Sequence, residues 1–357
     1  MNIRIEKTPR PKKIPSDGEF GGIAFGTLFT DHMLLIDYRK DKGWHDARVV
    51  PYGPFSLDPA TCCLHYGQLV FEGLKAYKTS DGRVVMFRPD ENMARMNKSC
   101  ERLCIPRIDE KETVLAIAEL LRTESAWVPS APGTSLYIRP FILANEVFLG
   151  VHPSNSFIFA TILSPVGAYF KEGLAPVKIY VEDKYVRAVR GGTGFAKCAG
   201  NYAASLKSQE EASGAGYSQV LWLDGVERKY IEEVGGMNIF FVIDGEVVTP
   251  ELNGSILPGV TRKSVIELVK SWGMPMSERK ISIQELADAY RAGKAREAFC
   301  TGTAAVVSPI GELRWGDMVM RFNDGRTGEI ARRLYDEITG IQTGVLEDRF
   351  GWVYAVG

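Results

Sequence analysis

Four glycines and one lysine share the stretch Gly191-Gly192-Thr193-Gly194-Phe195-Ala196-Lys197-Cys198-Ala199-Gly200-Asn201-Tyr202. Glycines let the backbone turn tightly and approach a ligand closely. A lysine on such a turn is either an ordinary solvated charge or a desolvated amine that attacks carbonyls. Two nucleotide readings fail on residues their mechanics require. A P-loop needs glycine where Ala196 stands and a hydroxyl where Cys198 stands. A dinucleotide fingerprint opening at Gly192-x-Gly194 needs a small residue where Lys197 stands.

Other stretches supply further chemistry. Leu257-Pro258-Gly259-Val260-Thr261 places a glycine turn at a helix start. Backbone N–H groups there face outward at the positive end of the helix dipole, which suits a phosphate; the plain alternative is a Pro-Gly chain break. Gly302-Thr303-Ala304-Ala305 is a second small-residue turn with a hydroxyl. Glu232-Glu233 stands before Val234-Gly235-Gly236, as a solvated pair or as an acid for a ligand nitrogen. Tyr137 and Arg139 alternate onto one strand face, where the arginine either clamps a carboxylate or is a surface cation. The set comprises a lysine for a carbonyl, two turns for a phosphate, an acid for a ring nitrogen and arginines for anions. It has no metal-ligand spacing and no Ser/His/Asp arrangement. Pyridoxal phosphate is the cofactor that asks for this list.

The frame for these residues is ordinary. The 357 residues exceed what one core usually serves, so two domains are expected. Apolar residues make up 45% and charged residues 24%, with net charge −1, so no global field attracts nucleic acid or an acidic membrane. The cluster Arg4, Lys7, Arg10, Lys12 and Lys13 is broken by Glu6 and prolines and reads as a solvated arm. Six scattered cysteines, without Cys-x-x-Cys or zinc spacing to the four histidines, fit a reducing compartment. No signal-peptide-like run or membrane-length run is present, and a cytoplasmic location is expected.

In chain order, residues 1–20 read as an irregular arm. Strands are expected near 33–38 and 47–52, then a turn or short helix over 64–71 feeding a strand. Asp81-Gly82 predicts a hairpin. Met93, Met96, Cys100 and Leu103, then Val114, Ile117 and Leu121, predict two helices. Strands follow at 135–140 and 157–163, with a loop over 150–155 between them. The expected division is a smaller α/β domain over 1–165, a loop over 166–176, and a larger cofactor-binding domain over 177–357. The latter opens with a strand over 177–181 and has a helix from about Tyr202 to Ser213. A strand at 220–223 and a hairpin at Asp244-Gly245 come next. A helix carrying Val265, Leu268, Val269 and Trp272 follows, then a strand–turn over 298–307 and a terminal helix marked by Ile330, Leu334 and Ile338.

Ordered motifs run through nearly the whole chain: FGTLFTDHM, LHYGQLVFEGLKAY, FRPDENMARM, SLYIRP, SPVGAYF, GGTGFAKCAGNYAAS, EEVGGMNIFF, LPGVTR and TGTAAVV. In these the sequence resembles the branched-chain amino-acid aminotransferases, pyridoxal-phosphate enzymes of fold type IV. The resemblance implies a mixed α+β, α/β fold of two domains in a homodimer. It implies that Lys197 forms the Schiff base with the cofactor and shuttles the proton, that Tyr202 bonds the phenolic oxygen and that Glu233 keeps the pyridine nitrogen protonated. Arg95, Thr303 and the backbone of Val260 and Thr261 would hold the phosphate, with Gly236, Leu257 and Gly259 also against the cofactor. Phe25, Tyr66, Phe71, Tyr137 and Tyr169 would wall the side-chain pocket, with Tyr66 or Val151 reaching in from a partner subunit. Arg139 would meet the distal carboxylate of glutamate, and the backbone around Ala304 and Ala305 the α-carboxylate. Two places depart from some relatives. Ala305 and Ser308 replace a Cys-x-x-Cys, which removes that redox pair, and Gly236 replaces a threonine.

The implied activity is reversible transamination of leucine, isoleucine and valine with 2-oxoglutarate, giving 2-oxo acids and glutamate. Small molecules are the expected partners, with no nucleic acid and no membrane. Rival readings are a D-amino-acid aminotransferase or aminodeoxychorismate lyase on the same fold, and a phosphate-binding module without chemistry. The Tyr137-x-Arg139 placement and the FGTLFTDHM arm argue against the first two. The module makes no use of Lys197.

Overall fold

The computed structural model describes residues 2–167 and 174–357. The chain divides into two compact units, each with its own mixed sheet, giving the α+β architecture. One unit comprises Met1–Lys171, Ala196–Ala199 and Gly340–Gly357; the other comprises Glu172–Phe195 and Gly200–Thr339.

The first unit is built on a nine-stranded sheet whose centre is the antiparallel pair Ser135–Ala144 and Ser156–Val166. Ser135–Ala144 is buried at most positions, as a strand covered on both faces must be. Leu69–Phe71 and Leu74–Lys78 both pair with it, which brings Phe71, Gly73 and Lys75 beside Tyr137 and Arg139. Two helices carry the predicted apolar stripes. Pro89–Arg102 starts with proline in its first turn, where the missing N–H costs nothing. Its Met93, Met96 and Cys100 are fully buried. Glu110–Thr123 is capped by Asp109, whose carboxylate accepts from the Glu112 amide. Each such buried apolar side chain contributes about 1.5–3 kcal/mol.

The second unit has another nine-stranded sheet, mostly antiparallel but with parallel pairing of Val177–Glu182 to Gln219–Leu223 and to Val306–Trp315, and of Glu246–Pro250 to Met276–Arg279. A two-residue hairpin joins Met237–Ile243 to Glu246–Pro250 through Asp244 and Gly245, both at positive φ, the conformation of the primed turns that match strand twist.

The structure corrects several expectations. The N-terminal arm is not wholly irregular. Arg4–Ile5 pairs in parallel with Gly43–Pro51, and Asp17–Phe20 forms a helical turn closed by reciprocal Ser16–Glu19 hydrogen bonds. The helix expected from Tyr202 to Ser213 is two helices, Ala199–Ala203 and Leu206–Gly214. The break falls at the Ser205 position, where the hydroxyl bonds the Tyr202 carbonyl, a local competition that serine offers the helix ladder. The strands Met276–Arg279, Met318–Arg321 and Val353–Ala355 and the helix Ile283–Arg291 carried too short a pattern to be anticipated.

Two stretches beyond residue 177 pack with the first unit. Val353–Ala355 pairs with Val84–Phe87. Residues 196–199 are held there by an antiparallel bridge between Val70 and Cys198, and Cys198 enters that unit's core. Most of the expected interdomain loop, 168–173, lies outside the described residues.

Candidate active site

Lys197 belongs to the first unit, and its backbone is fixed on both sides. Its amide donates to Ser99 Oγ at 2.9 Å, and its carbonyl accepts from the Phe71 amide at 3.0 Å. Its Nζ lies 5.2 Å from the centroid of the Phe71 ring. The glycine turn thus delivers a lysine held by strand-like backbone bonds against an aromatic wall.

Next to Phe71 stands Glu72, with no solvent exposure. Its carboxylate accepts from Arg95 Nε and Nη2, each at 2.8 Å, from Asn92 Nδ2 at 2.8 Å and from the Gly73 amide at 3.2 Å. Burial alone would push this carboxyl up. The Arg95 charge and hydrogen bonds, then Lys197 and Asn92, outweigh it and hold the group below the usual carboxylate value. The bidentate geometry fixes the plane of the Arg95 guanidinium.

Arg139 stacks between rings. Its guanidinium carbon is 4.9 Å from the centroid of Phe71 and 5.1 Å from that of Tyr137, and Nη2 donates to the Tyr137 hydroxyl at 2.9 Å. Its Nε is buried and has no hydrogen-bond partner among the described residues, which leaves a donor for an anionic ligand. Phe25 packs edge-on against Tyr137 with centroids 4.9 Å apart. A Cβ at residue 73 would overlap the Tyr137 hydroxyl, so only glycine allows this approach. Phe25, Phe71, Tyr137, Arg139 and Lys197 therefore come together. Tyr66 is half-exposed, bonding the Leu149 carbonyl through its hydroxyl, and Val151 is 84% exposed. Tyr169 lies outside the described residues.

The second unit gathers the other set. Glu232 and Glu233 alternate along Ile231–Val234 and serve different networks. Glu232 meets Ser255 and Asn253. Glu233, 2% exposed, accepts from Arg187 Nη2 at 2.8 Å on Oε2, and from the Leu257 amide at 3.0 Å and Asn238 Nδ2 at 3.2 Å on Oε1. Leu257 thus spends its N–H on Glu233. A Cβ at Gly259 would overlap Asn238 Oδ1, so this glycine makes room for the residue that steadies Glu233. A Cβ at Gly236 would lie 3.6 Å from the Tyr202 ring, an ordinary contact.

Gly259 is the N-cap of the helix Val260–Ser271 and provides no side-chain cap, yet Val260 and Thr261 are buried. First-turn N–H groups without a capping side chain or acidic residue are of the kind that can take an anion. Thr303, Ala304 and Ala305 form the turn between the strands Ala295–Gly302 and Val306–Trp315. Val306 closes it at φ 61°, a costly conformation for a β-branched residue that tends to mark functional turns. Each unit by itself carries groups of the kind pyridoxal phosphate needs: the first an amine beside an aromatic ring, the second a buried carboxylate and a buried helix start.

Glu72, Asn92, Ser99, Arg187 and Asn238 escaped the sequence reading because each acts on another side chain or on backbone. The FEG and MARM motifs held the one available signal, since the resemblance places Phe71 and Arg95, the neighbours of Glu72 in sequence and in space, in the site.

The class IV amino-transferase family matches residues 69–313. The chain is 58% identical to branched-chain-amino-acid aminotransferase 2 of Bacillus subtilis over 356 residues, covering 100% of this chain and 97% of that protein. Its fold is similar to the branched-chain amino acid aminotransferase of Escherichia coli, with TM-score 0.74, 29% identity and coverage of 92% and 99%. It is also similar to the T.th. branched-chain amino acid aminotransferase solved in complex with N-(5'-phosphopyridoxyl)-L-glutamate, with TM-score 0.74, 29% identity and coverage of 90% and 98%. The chain belongs to the class IV aminotransferases and, among them, to the fold type IV branched-chain-amino-acid aminotransferases.

Proposed function

We propose that this transaminase exchanges the amino group of leucine, isoleucine or valine with 2-oxoglutarate, using pyridoxal 5'-phosphate. One observation carries the reading. Lys197 Nζ and the Arg139 guanidinium both lie about 5 Å from the same Phe71 ring. A base and a carboxylate receptor thus share one apolar wall, as a pocket must if it accepts a branched side chain in one half-reaction and a carboxylate in the other.

When bound, pyridoxal phosphate supplies an electron sink for the charge left at the substrate Cα. Lys197 Nζ removes and returns the proton at that carbon. Glu233 would accept a hydrogen bond from the protonated ring nitrogen, and Tyr202 would donate to the phenolic oxygen. Arg95, Thr303 and the Val260 and Thr261 amides would hold the phosphate, with Gly236, Leu257 and Gly259 also against the cofactor. Phe25, Tyr66, Phe71, Tyr137 and Tyr169 exclude water around the side chain, and Ala304 and Ala305 offer backbone to the α-carboxylate.

A homodimer goes with this reading. Leu64, Tyr66, Val147, Phe148, Leu149 and Val151 expose apolar surface on one unit, of the kind that marks protein contacts. A cytoplasmic location is supported by six free cysteines. No helix of the described residues is long and apolar enough to cross a membrane. The test is a steady-state panel of amino donors against 2-oxoglutarate. Turnover of the three branched L-amino acids is expected; activity on D-alanine with none on L-leucine would overturn the proposal.

A further inference from the structure

We infer that Arg187 is a positioning residue: it keeps Glu233 a carboxylate and holds it in place to partner the protonated ring nitrogen of the cofactor. The inference rests on the pyridoxal phosphate reading above.

Glu233 is buried, and burial disfavours a bare carboxylate. A proton shared between a buried acid and a pyridine nitrogen can settle on either. On the carboxyl, it leaves a neutral ring that draws electrons poorly. A fixed cation on the carboxylate favours the arrangement in which the acid is charged and the ring carries the proton. Arg187 is that cation. Its side chain is 7% exposed and its Nη2 lies 2.8 Å from Glu233 Oε2. Asn238 and the Leu257 amide hold only Oε1, so the two oxygens are steadied by different groups.

Arg187 is itself pinned. Nη2 also donates to the carbonyl of Ser255 and, at 3.4 Å, to that of Gly194. These carbonyls belong to the segment leading into the phosphate turn and to the glycine run. A Cβ at Gly194 would overlap the Ser255 carbonyl and the Ala188 Cβ, so glycine is what lets the two segments close on the arginine. The guanidinium therefore ties Glu233 to the backbone of two neighbouring segments. A residue that served packing alone would have no need of its charge beside Glu233.

The test uses holoenzyme reconstituted with pyridoxal phosphate labelled with 15N in the ring. Arg187→Met and Arg187→Gln remove the charge, Gln retaining a donor for the carbonyls; Arg187→Lys retains the charge. In the native enzyme the ring 15N resonance should report a protonated nitrogen across pH 6–9. In the Gln and Met variants it should move to the unprotonated position within that range, and in Lys it should stay near the native one. The same variants should lose about tenfold or more in kcat, with a smaller change in KM, as expected of an interaction made in the transition state. A Gln variant that binds the cofactor and keeps the native 15N resonance overturns the inference, even if its melting temperature falls. Should Met fail to fold, Gln decides. Failure of the native enzyme to bind pyridoxal phosphate would instead overturn the underlying reading.

Discussion

Each unit buries one carboxylate–arginine pair beside the proposed cofactor groups, and the two pairs divide their labour in opposite ways. In the first unit Glu72 binds Arg95 through one guanidinium edge, taking Nε and Nη2 on separate oxygens, and also meets Asn92 and the Gly73 amide. That carboxylate is consumed in holding the arginine, which is the group proposed to meet phosphate. In the second unit Glu233 is the proposed working group and Arg187 the brace, attached through one nitrogen that it shares with two carbonyls. Residue types alone do not separate these roles. The number and direction of the bonds on each oxygen do.

The comparison can be broken by substitution. The largest effect belongs to neither pair: Lys197→Ala should lower kcat by more than about a thousandfold while the fold persists. A variant retaining more than that in steady-state assays contradicts the role of Lys197.

Glu72→Gln leaves Arg95 as a buried cation without its carboxylate, a loss of about 3–5 kcal/mol in the stability of the fold. The melting temperature should drop sharply and the Kd for pyridoxal phosphate should rise, with the visible spectrum of the loaded enzyme little changed. Glu233→Gln should do the reverse, altering spectrum and kcat more than melting temperature. Identical signatures from the two variants would abolish the distinction.

Lys75 sharpens the contrast between kinds of buried cation. Arginine stays charged, whereas burial lowers Lys75 from 10.5 to about 8. The folded state therefore releases this proton at lower pH than the unfolded chain does. The cost of burying the charge is fully present below pH 8, and this group adds stability as pH rises from about 8 towards 10.5, by up to about 3 kcal/mol. Denaturant titrations across that window should show the rise in the native enzyme and a smaller one in Lys75→Met.

The smallest effect should be the most selective. Arg139→Met removes a charged donor worth about 1.5–3 kcal/mol to a carboxylate. KM for 2-oxoglutarate and glutamate should rise by about tenfold to a hundredfold, with leucine nearly unaffected. Equal losses for leucine would place Arg139 elsewhere in the reaction.

Much of the fold was legible because its elements carry full periods. Met93, Met96 and Cys100 mark a helix face, and Asp244-Gly245 marks a hairpin, from local sequence alone. Lys197 and Glu233 were legible through the motifs that surround them. What stayed hidden depends on contacts between distant segments. Nothing near Cys198 announces that it joins a core built by residues of the first unit, and nothing near Ser99 shows that it holds the Lys197 amide. Glu232 and Glu233 are indistinguishable as letters; strand alternation sends one to Ser255 and the other to Arg187. Arg187 carries no local signal, because the groups that give it a role, Glu233 and the Ser255 carbonyl, lie in distant segments of the sequence.

The central claim is that Lys197 carries the cofactor in a branched-chain transaminase. The most direct measurement is borohydride reduction of the purified enzyme, followed by digestion and peptide mass mapping. The account predicts a phosphopyridoxyl group on Lys197 and loss of the visible band and of activity together. A label on another lysine, or none on a protein still active with leucine and 2-oxoglutarate, would contradict it.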